Sequence, residues 1–131
     1  MATAIIEVSL ADDQADGAMR SFHPGETIRG TVQVTPETEL TCKHLHIRLA
    51  WHTEGQGTRD SQSVAQIDVF QGTLPPRIPN HYDFAFALPN APWSYAGHYI
   101  NIVWEIEVDI DVPWATNPKQ SYPFILTPAH Y

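Results

Sequence analysis

Apolar and polar residues alternate with a period of two along most of the chain. In 104–112, Trp104, Ile106, Val108, Ile110 and Val112 take one set of positions, and Glu105, Glu107, Asp109 and Asp111 take the other. Successive side chains of a β-strand point to opposite faces, so this segment predicts a strand with an apolar ridge and a carboxylate row. The same reading applies to AIIEVSL (Ile6, Val8, Leu10) and TIRGTVQV (Ile28, Val32, Val34). CKHLHIRLAWH places Leu45, Ile47, Leu49 and Trp51 inward, with His44, His46, Arg48 and His52 outward. VAQIDVF, YDFAFAL and SYPFILT complete about seven strands, and no segment carries a helical period.

The connectors agree with an all-β chain. Eleven prolines and seven glycines fall mainly between the alternating segments, as in HPGE, TPET, EGQG, LPPRIP, LPNAP and TNP. Turn signals at intervals of about 8–12 residues predict an immunoglobulin-like antiparallel β-sandwich of about seven strands in two sheets. With 131 residues, no internal repeat and no linker, residues 1–131 are expected to form a single domain.

Composition narrows the function. Fifteen acidic against seven basic residues give a formal charge of −8, which argues against nucleic acid or an anionic membrane surface as partner. One cysteine, Cys42, leaves no internal disulfide and no cysteine-rich zinc module. The N-terminal MATAIIEVSLADD lacks the pattern of a signal peptide, and no apolar run approaches the roughly 20 residues of a membrane span. A cytoplasmic protein without a membrane span is expected.

FHPGETIRGTVQV (22–34) and YDFAFALPNAPWSYAGHYINIVWEIEVDIDVPW (82–114) together resemble the arrestin-domain family. The first is similar to the family's early aromatic and Pro-Gly-Glu turn, followed by a strand that carries a glycine. The second stretch resembles a second pattern. There an aromatic strand ends in Leu-Pro, a Pro-x-Ser-aromatic-x-Gly segment follows, and a long strand ends in Pro-Trp. The matched residues are Pro24, Gly25, Glu26, Gly30, Pro89, Pro92, Gly97, Pro113 and Trp114. Pro24 and Gly25 suit a type II turn; Gly30 inside a strand suits a bulge or close packing; Pro89 and Pro92 end a strand. The resemblance implies a non-enzymatic adaptor or scaffold that binds a protein partner, with no cofactor. Receptor-recruiting relatives hold two such domains, and phosphate-sensing ones use Lys and Arg on the sandwich. This chain has length for one domain, its basic residues are scattered, and PPRI at Pro75 lacks the tyrosine of a Pro-Pro-x-Tyr tail.

His44 and His46 sit side by side on one strand face and are the metal candidates, as a runner-up function of metal or small-ligand binding. His52, eight residues on, lies roughly 25 Å away on a straight strand, so a third ligand would come from a neighbouring strand. Carboxylates at 105, 107, 109 and 111 are spaced about 6.6 Å apart, a poor cage for a calcium ion with oxygens at about 2.3–2.6 Å. If the His-rich and acidic strands are neighbours, His44, His46 and Arg48 face Glu105, Glu107 and Asp109, which gives the row a role in register and solubility. No nucleophile elbow, zincin helix or phosphate loop is present, and a Cys42–His44 pair has no orienting group. Protein binding is expected at an open edge strand or the end loops, where Trp93, Tyr95 and Arg77 are the candidates. Self-association is a third reading.

Overall fold

A computed structural model describes residues 4–11, 20–55, 59–97, 100–113 and 115–128. Trp114 therefore lies outside the described residues. The strands are β1 (Ala4–Leu10), β2 (Ser21–Phe22), β3 (Thr27–Pro36), β4 (Leu40–Cys42), β5 (His44–Gly55) and β6 (Ser61–Asp68). They continue with β7 (Gly72–Leu74), β8 (Asn80–Ala87), β9 (Tyr95–Ala96), β10 (Ile100–Asp111) and β11 (Lys119–Leu126). All described elements are strands. The two- and three-residue strands β2, β4, β7 and β9 raise the number above the seven read from alternation, because so short a run shows no period.

One sheet has the order β1-β3-β8; the other has β2-β11-β10-β5-β6, with β9 also paired to β10; β4 and β7 form a separate ribbon. Every pairing is antiparallel except β11 with β2. The alternating residues of both sheets meet in one core. Ile6, Ile28, Val32, Val34, Phe84 and Phe86 come from the smaller sheet, and Leu45, Ile47, Leu49, Trp104, Ile106, Val108, Ile110 and Phe124 from the larger. Full burial of a large aliphatic or aromatic side chain contributes roughly 1.5–3 kcal/mol, so this interface dominates the stability.

The family-pattern residues take folding positions. At HPGE, the amide of Glu26 donates to the His23 carbonyl (3.1 Å) and Gly25 has φ 87°, the geometry of a type II turn. The Glu26 carboxylate accepts the His23 amide, and Gly25 N–H reaches the Leu88 carbonyl, joining the turn to the end of β8. Gly30 lies in unbroken register with both β1 and β8, so close packing rather than a bulge explains it. A Cβ there would sit 2.4 Å from the Ser9 carbonyl oxygen and 2.8 Å from Phe84 Cζ. Beyond β8, Pro89 and Pro92 occupy the irregular segment before β9. Pro92 offers its carbonyl to Trp104 Nε1 (2.7 Å), which supplies the partner that a buried indole needs. Gly97 N–H donates to Asn101 Oδ1 (3.2 Å) across the β9–β10 turn, and Pro113 follows the end of β10 in a turn.

Candidate functional site

The outer face of the larger sheet carries the titratable residues. β5 and β10 pair over twelve positions, with Arg48 opposite Glu107, His46 opposite Asp109 and His44 opposite Asp111. The expected neighbourhood of basic and acidic strands is present, one step along from the pairs read from sequence. Glu105 stands opposite Ala50. On the other side of β5, β6 places Asp68 opposite His46 and Gln66 opposite Arg48. Two strands thus focus their polar side chains on β5 from either side.

Arg48 is the centre of one group. Its Nη1 donates to Glu107 Oε1 and Asp109 Oδ2, each at 2.8 Å, and its Nε donates to Gln66 Oε1 at 2.6 Å. Nη2 lies 3.1 Å from His46 Nδ1. Asp109 is buried, and its second oxygen, Oδ1, has no hydrogen-bond partner among the described residues. A guanidinium is suited to this position because its planar fork can serve several acceptors at once.

His44, His46 and Asp68 form a second group. His44 Nδ1 lies 2.5 Å from Asp68 Oδ2, and the two imidazole rings are 5.1 Å apart. Asp68 Oδ1 also accepts the Leu45 amide at 3.3 Å. The hydrogen bond from His44 is the main cause that holds the Asp68 carboxyl below its usual range. One ligand atom from each of the three residues falls within 4.8 Å of the others. Asp68 is the third donor, from a neighbouring strand, that His44 and His46 do not have along their own strand; register with β5, not spacing along the chain, brings it there.

His52 belongs to neither group. Its Nε2 is 2.9 Å from Glu54 and its Nδ1 is 3.0 Å from Glu105. The Glu54 hydrogen bond and the charge of Glu105 raise its pKa, against the lowering effect of burial. Cys42 is buried as a free thiol, and burial pushes its pKa up, the wrong direction for a nucleophile.

The protein-binding candidates lie elsewhere. Trp93, just before β9, is 52% exposed, and Tyr95, the first residue of β9, is 58% exposed. The Trp93 Nε1 donates to the Asn90 carbonyl at 2.7 Å. Tyr95, Ile102, Val103, Phe124 and Ile125 border an apolar cavity of about 400 Å³ beside them. Arg77 is exposed on the β7–β8 connection, with φ 63° and its amide bound to the Pro36 carbonyl. The structure does not bring Arg77 into one group with Trp93 and Tyr95. β6 forms the outer edge of the larger sheet, and no strand pairs its far side among the described residues.

The fold is that of an arrestin-like β-sandwich. It superposes on Spo0M, a sporulation control protein from Bacillus subtilis, with a TM-score of 0.70 and 18% sequence identity. The match covers 97% of this chain and 50% of Spo0M, so the chain spans about half the length of that protein. No protein-family model matches the chain, and no curated protein sequence does either. No helix among the described residues is long and apolar enough to cross a membrane.

Proposed function

We propose that residues 1–131 form a single-domain, non-enzymatic interaction module that binds a protein partner through the Trp93–Tyr95 end of the sandwich, as an adaptor or scaffold. The observation that carries this reading is exposed Tyr95 at the border of an apolar cavity, with exposed Trp93 two residues before it. Aromatic side chains of this kind are the anchors that dominate binding energy in interfaces. The free edge of β6 offers a second route, by strand addition. The likeness to a sporulation control protein is compatible with a regulatory role, and the acidic balance favours a protein over a nucleic acid as partner. We place the module in the cytoplasm.

Affinity capture from the native extract tests the proposal. The wild-type protein should recover a saturable partner, and Trp93→Ser with Tyr95→Ser should lose it while keeping the wild-type unfolding midpoint. A partner retained by that variant refutes the Trp93–Tyr95 surface; a second copy of the chain as the captured species replaces the adaptor reading with self-association.

A further inference from the structure

We propose that His44, His46 and Asp68 form a binding site for one borderline divalent transition-metal ion of the zinc class. Nitrogen from two imidazoles and oxygen from one carboxylate is a ligand set such ions favour, and three protein ligands leave a fourth position for water.

The geometry requires little rearrangement. Tetrahedral ligands at about 2.0–2.1 Å from a zinc ion lie roughly 3.3 Å from one another. The three donor atoms already fall within 4.8 Å. The His44–Asp68 contact at 2.5 Å must open by under about 1 Å, and the nitrogen that binds the metal must carry no proton, as metal binding to histidine requires. His44 and His46 occupy adjacent outward positions of one strand, and Asp68 is fixed by its register with His46 and its bond to the Leu45 amide.

The surroundings favour a cation. Besides Asp68, the same face carries Glu107, Asp109 and Asp111 in register with Arg48, His46 and His44. Their facing cations are Arg48, which is held by Glu107 and Asp109, and Lys119, which is opposite Asp109 in the β10–β11 ladder. Four carboxylates against two cations leave net negative charge around the two imidazoles. The second independent observation is Asp109 Oδ1, which is buried beside His46 and without a partner among the described residues. A metal-bound histidine presents its other ring N–H, and a carboxylate is its usual acceptor. Asp109 would supply that acceptor for His46, with Arg48 giving up its contact to Nδ1 and remaining anchored on Gln66 and Glu107.

Calorimetric titration of the intact protein with zinc chloride, in a non-chelating buffer, tests the site. One equivalent should bind, and zinc should raise the thermal midpoint until EDTA is added. His44→Gln, His46→Gln and Asp68→Asn should each weaken binding at least about tenfold. His81→Gln, a change at a histidine paired with Gln33 on the other sheet, should bind as the wild type does. Circular dichroism of the unliganded variants separates loss of the site from loss of the fold, and a variant that does not fold is replaced by alanine at the same position. Absence of saturable binding overturns the proposal. So does undiminished affinity in any one of the three ligand variants, or an equal loss in His81→Gln.

Discussion

Replacing Arg48 with methionine would keep most of the side-chain volume and remove the charge that ties β5 to β10. The cost follows from how wet the partners are. Side chains are 20% exposed at Arg48, 28% at Glu107 and 10% at Asp109. Fully exposed pairs contribute at most about 1 kcal/mol, whereas removing one member of a buried pair costs about 3–5 kcal/mol. Arg48 lies between these limits, so Arg48→Met should destabilise the fold by about 2 kcal/mol. For a chain of 131 residues each kcal/mol moves the melting midpoint by roughly 4 °C, which puts the variant about 8 °C below the wild type. Most of that loss arises because Asp109 is left buried without a cation. Arg48→Met combined with Asp109→Leu should therefore be more stable than Arg48→Met alone. Urea unfolding of the wild type, both single variants and the double variant measures the coupling. An unchanged midpoint in Arg48→Met, or a double variant that falls by the sum of the single losses, would refute the reasoning.

Two further outcomes are expected. Gly30→Ala should lower stability by about 1–3 kcal/mol through the clash with the Ser9 carbonyl and Phe84, net of the smaller gain from a stiffer unfolded chain, and chemical unfolding reads it directly. His52 has a folded pKa above its unfolded value of about 6.5, so its contribution is complete below that value and declines as pH rises through the folded one. The difference in melting midpoint between wild type and His52→Gln should thus be larger near pH 5.5, where His52 is paired as a cation with Glu54 and Glu105, than near pH 8.5.

The long strands were legible because each buries one face, and burial on one face writes a period of two into the chain. β10 shows this best: Trp104, Ile106, Val108 and Ile110 are fully buried, as their alternation implies. The type II turn at Gly25 was legible for a local reason too, since Pro-Gly fixes two backbone angles regardless of the rest of the fold. The site was half legible. His44 and His46 are neighbours by spacing alone, but Asp68 and Gln66 reach β5 through a hairpin whose register shifts between Leu49 and Ala50. An irregularity of that kind leaves no mark on the alternation. Trp93 was opaque for a different reason: a single aromatic outside a strand has no face, and only the packing decides whether it is covered.

The ionic lattice over β6, β5 and β10 also limits how this molecule can be built into something larger. A neighbour laid flat on that face would have to dehydrate Arg48, His52 and several carboxylates together, at a cost that ordinary apolar contact could not offset. Growth by stacking is thereby discouraged on this side, and the rim becomes the natural direction for assembly. Tandem copies or heterologous partners would join it end to end or edge to edge, like tiles rather than like pages.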